Sequence, residues 1–249
     1  MKLLDFIRDK LTTLFAPATF KCTCCGAEIF DELGFCQECK KQVVYNNKKV
    51  CKRCGVGIDG EEDYCGNCAY DKVYFDRAYS AFSYEGAVQK AIVDMKFHNM
   101  GINAKILAKY LVYLSQTHNL QYDLVCFAPM TKKAKRARRY NQAQLLATYY
   151  CNMLGQDKLL VEAITKQKET QRQENLNRTE RKENLIGAYK LNCNVKGKTV
   201  LVIDDIKTTG ATLNECAKVL KRGGATKVIC LTVASRKEKF VMEVQQDVQ

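Results

Sequence analysis

Eight of the 14 cysteines fall into four CxxC pairs near the N-terminus. The pairs are Cys22 with Cys25, Cys36 with Cys39, Cys51 with Cys54, and Cys65 with Cys68. Two thiolates at this spacing can bind one metal ion from a single tight turn, and two such turns complete the closed shell of a structural zinc site. Paired CxxC without an export signal favours metal in a reducing cytoplasm over disulfides. The eight cysteines are therefore predicted zinc ligands.

The four pairs form an internal duplication. Each cysteine of the first unit recurs 29 residues later, and Gly26 and Gly55 follow the second cysteine of each unit. This repetition predicts a double zinc ribbon at residues 21–72. One zinc ion per unit is the direct interpretation, but an interleaved use of alternate pairs has the same spacing, and a single occupied site is also compatible. Cys24 falls outside the pattern and is not a predicted ligand.

A second pattern with chemical potential occupies residues 200–212, VLVIDDIKTTGAT. The unbroken apolar run predicts a strand buried on both faces, with Asp204 and Asp205 at its end. The residues that follow are Thr208, Thr209, Gly210, Ala211 and Thr212, and helical spacing begins at Ala211. A helix N-terminus offers N–H groups to a phosphate, and paired carboxylates can accept bonds from ribose hydroxyls or hold Mg²⁺. The stretch therefore predicts a sugar-phosphate site, with an ordinary threonine-capped strand–turn–helix as the alternative.

Two other polar stretches of the sequence are candidates for parts of the same site. Thr131–Arg139 carries six basic residues in nine between a buried strand and a helix, which suits a loop that binds diphosphate or nucleic-acid phosphate. A plain solvated run is the alternative. Residues 166–184 are long and very polar, which is typical of a mobile lid or a disordered excursion.

Strands and helices alternate after residue 73, which predicts an α/β domain with its ligand at the carboxyl ends of parallel strands. The predicted organisation is an amphipathic helix at 1–20, the double ribbon at 21–72, the α/β domain at 73–238 and a polar tail at 239–249. The N-terminal helix is expected to dock on the protein body, with membrane-surface attachment as the alternative. His98 and His118, the two histidines, are expected at loops or helix ends, so no histidine-based acid–base catalysis is predicted.

The bulk composition excludes several classes of protein. With 249 residues and 47% hydrophobic residues, the chain has the composition of an ordinary soluble protein. No apolar run has the length of a membrane span, and the N-terminus does not resemble a signal peptide, so a cytoplasmic location is expected. The formal net charge of +13 favours an anionic partner, and zinc thiolates would reduce this surplus without reversing it.

The sequence VLVIDDIKTTGAT resembles the phosphoribosyl diphosphate (PRPP) signature of type I phosphoribosyltransferases. Further motifs occur in a consistent order: the double ribbon, Tyr84-Glu85-Gly86, Lys96, Arg138-Arg139-Tyr140-Asn141-Gln142, Thr170, Gln173, Leu176, Arg181, Asn184 and Ala188-Tyr189. Together they resemble the ComF family of bacterial competence-associated proteins, in particular its ComFC-like members, over about residues 20–236.

The resemblance implies a type I phosphoribosyltransferase fold, a parallel-sheet core with a flexible hood, preceded by a zinc-ribbon module. It implies that Asp204 and Asp205 hold the ribose hydroxyls with magnesium nearby, and that residues 208–212 cradle the 5-phosphate. The diphosphate loop would lie at 138–142 and the hood loop at 170–184. One departure matters: the family usually has glycine where this chain has Arg139, which puts the geometry of a strained loop in question.

Three functional hypotheses follow. The first is a competence protein that handles incoming single-stranded DNA, with PRPP and possible partners among competence helicases or other DNA-uptake proteins. The second is an active phosphoribosyltransferase in nucleotide or cofactor metabolism, with Asp204 and Asp205 as catalytic residues and Arg138 and Arg139 neutralising the departing diphosphate. The third is a non-catalytic PRPP sensor. No phosphoribosyl acceptor is indicated by the sequence.

Overall fold

The computed structural model describes residues 20–29, 34–46, 49–58, 60–98, 100–168 and 187–236. The predicted N-terminal helix, most of the polar stretch at 166–184 and the C-terminal tail lie outside the described residues. The ribbon region contains the short strands β1 (Phe20–Lys21) and β2 (Glu28–Ile29) and the short helices α1 (Gln37–Lys40) and α2 (Gly66–Tyr70). Strands β1 and β2 pair in antiparallel register.

A four-stranded parallel sheet forms the centre of the α/β region, in the order β3-β8-β7-β4. Its strands are β3 (Arg77–Ser83), β4 (Leu124–Phe127), β7 (Thr199–Lys207) and β8 (Lys227–Ser235). The helices around it are α3 (Gly86–Phe97), α4 (Ile102–Thr117), α5 (Lys132–Arg138), α6 (Gln142–Leu154) and α7 (Ala211–Arg222). A separate antiparallel pair consists of β5 (Ile164–Lys166) and β6 (Tyr189–Leu191).

Helices cover both faces of the sheet, as a parallel sheet requires. Leu201 and Ile203 of β7 belong to the same core as α3, α4 and α6, whereas Val200 and Val202 belong to the core that α7 closes. Successive residues of a strand point to opposite faces, so the apolar run of β7 supplies both cores at once. This explains why the run is continuous rather than alternating.

The connection before β5 contains a 3-10 turn at Asp157–Leu159, and β5 begins at Ile164. Two local predictions were wrong. The basic stretch was expected as a loop, but α5 forms in it because Thr131 caps the helix and Lys, Arg and Ala are good helix formers. Strand β7 was expected to end at the paired acids, but it continues to Lys207, since Ile206 and Lys207 pair with β8.

Candidate functional site

The signature stretch forms a strand end, a tight turn and a helix start. Gly210 precedes α7 with a φ of 79°, a left-handed conformation that favours glycine. The Thr209 hydroxyl accepts a hydrogen bond from the Ala211 backbone N–H at 3.4 Å. The sheet and α7 thus present the residues 204–212 at the carboxyl end of β7, where open α/β sheets bind their ligands.

The two acids at this strand end have different surroundings. The Asp205 carboxylate lies 3.1 Å from Nζ of Lys96, with side-chain exposures of 11% and 16%. Burial alone would lower the pKa of Lys96, but the neighbouring Asp205 carboxylate outweighs it, so this pKa is raised. Lys96 comes from the end of α3, so the pair joins α3 to β7.

Asp204 is partly buried and has no such cation as a direct partner among the described residues. Burial, and then the charge of Asp205, raise the pKa of Asp204 to about 7. One Asp204 carboxylate oxygen accepts a 2.8 Å hydrogen bond from the Asp205 backbone N–H. One of the two acids is therefore already paired, and the other can lose its proton near neutral pH. In their ionised forms the two carboxylates fit an incoming divalent cation or ribose hydroxyls.

The segment from α5 to α6 lies beside the end of α3. The Tyr140 hydroxyl donates to the Met95 carbonyl, and Nδ2 of Asn141 donates to the Ala128 carbonyl at 2.9 Å. Oδ1 of Asn141 caps α6. The guanidinium group of Arg138 lies 5.0 Å from the ring centre of Phe97. It is close enough to Lys96 that its positive charge acts to lower the pKa of Lys96, against the larger effect of Asp205. The predicted diphosphate residue Arg138 is therefore near the Lys96–Asp205 pair, whereas Arg139 is exposed.

The backbone of Arg139 has a left-handed conformation, which is the conformation that favours glycine. Its φ is 67°, so an arginine occupies the left-handed region where the family usually has glycine. An arginine in this conformation carries local backbone strain at the turn from α5 into α6. Whether this turn binds diphosphate stays a prediction.

The eight predicted zinc ligands form two separate clusters. Cys22, Cys25, Cys36 and Cys39 make the first cluster, and Cys51, Cys54, Cys65 and Cys68 make the second. Each unit therefore uses its own two pairs, and the interleaved alternative is excluded. Cys24 belongs to neither cluster, as predicted.

The clusters have the dimensions of tetrahedral zinc sites. The Sγ atoms of Cys25 and Cys36 are 3.7 Å apart, and those of Cys54 and Cys65 are 3.6 Å apart. A Zn–S bond of about 2.3 Å gives a tetrahedral S–S edge of about 3.8 Å. Backbone N–H groups also point at sulfur, for example from Cys36 to Cys22 at 3.3 Å. The duplication extends to the turns, because the N–H groups of Gly26 and Gly55 bond the Cys22 and Cys51 carbonyls at 2.9 Å.

The two clusters differ in burial. All four cysteines of the second cluster are buried, whereas Cys25 in the first is exposed. Lys207, only 3% exposed, lines the same cleft as Cys54 and Cys68 of the second cluster, and its charge is close enough to this cluster to interact with it. Burial alone would lower the pKa of Lys207, but the nearby cysteines outweigh it and raise this pKa.

Lys96 was named only as a motif residue of the resemblance, and Lys207 was given no role. Lys96 lies four residues after Ile92 in the apolar stripe of α3, and Lys207 ends the strand that begins with the apolar run of β7. A lysine at a position that the periodicity marks as buried needs a partner. That signal was present in the sequence, although it does not identify the partner.

Comparisons with known proteins agree with this architecture. The chain matches the family described as Phosphoribosyl transferase domain over residues 147–248 and the family described as Double zinc ribbon domain over residues 11–69. DNA utilization protein YhgH of Escherichia coli (strain K12) is 28% identical over 200 residues, covering 78% of this chain and 87% of that protein. Competence protein F of Haemophilus influenzae is 28% identical over 219 residues, covering 84% of this chain and 94% of that protein.

Among solved structures, the purine phosphoribosyltransferase from Pyrococcus horikoshii is 16% identical. The match covers 53% of this chain and 81% of the Pyrococcus chain, with a TM-score of 0.33. The fold and the family matches define the class: a type I phosphoribosyltransferase domain preceded by a double zinc ribbon with two four-cysteine clusters. The resemblance to the ComF family is confirmed by the similarity of most of the chain to competence protein F and YhgH. Within the described ranges, none of the helices has both the length and the hydrophobicity to span a membrane.

Proposed function

We propose that this protein binds PRPP with Mg²⁺ at the carboxyl end of β7 and handles incoming single-stranded DNA in the cytoplasm during natural transformation. The observation that carries the PRPP site is the Lys96–Asp205 ion pair of 3.1 Å beside Asp204, directly before the start of α7. Its position agrees with ligand binding at parallel strand ends. Competence protein F, the name of one relative, supports the biological role and DNA-uptake proteins as partners.

Each part of PRPP has a proposed set of residues. Asp204 and Asp205 accept the two ribose hydroxyls, and Lys96 holds the Asp205 carboxylate in place. The 5-phosphate is bound by Thr208, Thr209, Gly210, Ala211 and Thr212, whose backbone and hydroxyl groups surround the start of α7. Arg138 and Arg139 attract the diphosphate. Mg²⁺, when bound, would neutralise charge between the diphosphate and the carboxylates.

A thermal shift experiment tests this site. PRPP with Mg²⁺ at about 100 times its dissociation constant should stabilise the wild-type protein by about 2.7 kcal/mol. Asp204→Asn should lose this shift, while Glu38→Gln, a change to an exposed acid of the first ribbon, should keep it. Absence of any shift in the wild type would refute the PRPP site.

A basic and aromatic surface supports the DNA role. Lys132, Lys133, Lys135 and Arg136 are exposed on α5, next to Arg138 stacked at 5.0 Å on the Phe97 ring. Phe97 is itself 54% exposed. Single-stranded nucleic acid is bound without sequence preference by basic residues that follow the backbone and aromatic rings that stack on bases. The combination on this surface has both components.

Binding of a fluorescent single strand tests the DNA role. Affinity should fall steeply with added salt, and Phe97→Ala should weaken it by about 1–3 kcal/mol at fixed salt. Tyr113→Ala is the matched control, because Tyr113 is an exposed aromatic residue of α4 at 68% exposure. Equal losses for both variants would argue against a stacking role for Phe97, and no binding at low salt would refute the DNA role.

Phosphoribosyl transfer is the second candidate, favoured by the match to the phosphoribosyl transferase domain and by the position of Arg138 near Lys96, the partner of Asp205. In this case the arginines and Mg²⁺ would stabilise the charge of the departing diphosphate. Release of diphosphate from PRPP with a panel of nucleobases is the test. PRPP binding without release across the panel would favour the sensor hypothesis, in which the same pocket reads PRPP without turnover.

A further inference from the structure

Lys207 lies between the second zinc cluster and residues 208–212, the proposed 5-phosphate site, which we call the phosphate loop. It is the last residue of β7, three positions before Gly210, and its side chain is buried. The stem of this side chain lies against Gly210, since a Cβ built on that glycine would be 3.4 Å from Lys207 Cε. The same side chain lines a cleft with Cys54 and Cys68, and its ammonium group is close enough to Cys54, Cys65 and Cys68 for a charge interaction. One side chain therefore lies against the loop and beside the cluster.

The charge of Lys207 suits this position. Four thiolates around one Zn²⁺ leave a net negative site, and all four cysteines of the second cluster are buried. A buried charge needs a compensating partner, and N–H donors to the ligand sulfurs fix the geometry of a metal site. A metal ion at this cluster would hold the ammonium group of Lys207 in place. It would thereby fix the direction in which the chain leaves β7 and enters the phosphate loop.

A second connection runs through the segment that leaves the ribbon. Oδ1 of Asn214, in the first turn of α7, accepts from the Tyr74 backbone N–H at 2.6 Å, and Nδ2 of Asn214 donates to the Lys72 carbonyl at 3.2 Å. Asp76 pairs with Lys221 of α7 at 2.8 Å. A cleft between these parts is lined by Cys54 and Cys68 on one side and by Thr209 and Gly210 on the other.

Among the residues that the structure describes, the first cluster has none of these connections to the loop or to α7, so it serves as an internal comparison. Cys25, the counterpart of Cys54 in the duplication, is exposed. A Cβ at Gly26 would meet nothing within 4 Å, whereas one at Gly55 would lie 2.6 Å from the Ala78 carbonyl oxygen in β3. Lys90 is an exposed lysine near the first cluster, and it pairs with Asp94.

We propose that zinc at the second cluster and PRPP at the phosphate loop stabilise each other, with Lys207 as the positioning residue that couples them. The first cluster is independent of the loop. This inference rests on the proposed PRPP site, because the coupled ligand is the one assigned to that loop. Coupling between two sites is reciprocal in free energy, so PRPP must raise the affinity for zinc by the same factor by which zinc raises the affinity for PRPP. Slower zinc loss in the presence of PRPP is the expected kinetic sign of this higher affinity.

Zinc release from the full-length protein to a chelating dye tests the coupling. Cys25→Ser leaves the second cluster as the intact site, and PRPP with Mg²⁺ should slow zinc release from it at least about fivefold, the lower end of usual coupling strengths. Cys54→Ser leaves the first cluster intact, and PRPP should not change zinc release there. PRPP affinity should fall in Cys54→Ser and stay near the wild-type value in Cys25→Ser.

Lys207→Met separates coupling from folding, because it keeps an unbranched apolar stem of nearly the same shape and removes the ammonium group. It should speed zinc loss from the second cluster, weaken PRPP binding and abolish the effect of PRPP on zinc release. Lys90→Met should change none of these. If Lys207→Met or Cys54→Ser does not fold, the comparison of zinc release with and without PRPP in Cys25→Ser decides the question.

The outcomes also separate this inference from the proposed function. PRPP that stabilises the wild-type protein but leaves zinc release from Cys25→Ser unchanged would overturn the coupling and leave the PRPP site intact. PRPP that gives no thermal shift in the wild type would overturn both. Equal slowing at both clusters would contradict the assignment of the coupling to Lys207.

Discussion

Lys96 Nζ lies 3.1 Å from the Asp205 carboxylate, and each side chain is less than one-fifth exposed. The pair joins the end of α3 to the end of β7, and it fixes one of the two acids at the strand end. Removing one partner of such a pair leaves a charge that is shielded from water and uncompensated. The relationship therefore makes both stability and ligand binding depend on a lysine outside the signature stretch.

The first prediction concerns this pair. Lys96→Met and Asp205→Asn should each lower the free energy of unfolding by about 2–4 kcal/mol, somewhat below the cost of breaking a fully buried pair. The double variant should lose less than the sum, with a coupling energy above about 1 kcal/mol in urea unfolding. The matched cycle is Lys41 with Glu38, an exposed pair at 2.8 Å whose coupling should stay below about 0.5 kcal/mol. Equal coupling energies in the two cycles would contradict the structural role of Lys96.

The second prediction concerns pH. The pKa of Asp204 is raised to about 7, so its carboxyl carries a proton below that pH and must release it to bind Mg²⁺ or to accept from a ribose hydroxyl. The affinity for PRPP with Mg²⁺ should therefore fall as pH decreases through about 7 and reach its full value above it. Calorimetric titration from about one pH unit below this pKa to about one and a half units above it measures the change.

The control for the pH experiment is Asp204→Asn. PRPP phosphates also titrate near pH 6, so part of the pH dependence belongs to the ligand. The variant should bind more weakly and keep only that part. A wild-type profile that is superimposable on the variant profile would show that Asp204 is not the titrating group.

The third prediction concerns Arg139. Its φ of 67° is disfavoured for any residue with a Cβ, so Arg139→Gly should raise the free energy of unfolding by up to about 1 kcal/mol. Arg136→Gly removes the same side chain from the interior of α5 and should instead cost about 1 kcal/mol. Denaturant unfolding of the two variants measures both changes. A loss of stability in both would show that the strain at Arg139 is not significant.

The fourth prediction uses the duplicated glycines. Gly26 and Gly55 have φ values of 76° and 68°, so alanine is strained at both, at a cost of about 1–2 kcal/mol. At Gly55 the new methyl group would also meet the Ala78 carbonyl oxygen at 2.6 Å, which adds about 1–3 kcal/mol. Thermal unfolding of zinc-loaded Gly55→Ala and Gly26→Ala should therefore show a larger loss for Gly55→Ala. Equal losses would indicate that the second ribbon does not pack tightly on β3.

Features that depend on short-range spacing could be predicted from the amino-acid sequence alone. The zinc ligands were identified because two thiolates on one turn are set by a three-residue interval, and the surplus Cys24 could be excluded on the same basis. The buried β7 and the start of α7 at Ala211 followed from periodicity and from Gly210. These features are local, so neighbouring residues suffice to specify them. The functional roles of the residues at 204–212 stay predictions.

Which distant groups meet became known only from the three-dimensional packing. The contact of Lys96 with Asp205 and the position of Lys207 beside Cys54 each join segments far apart in the sequence, and the structure also decided how the cysteine pairs group into two clusters. Periodicity marks a lysine as buried, but the partner depends on how helices and the ribbon pack on the sheet. The errors in the basic stretch and at the end of β7 have a related cause, because helix capping and strand pairing overrode the local pattern. The spacing of residues along the sequence indicates which of them can bind a metal or a ligand. The packing of helices, strands and ribbon determines which residues they contact.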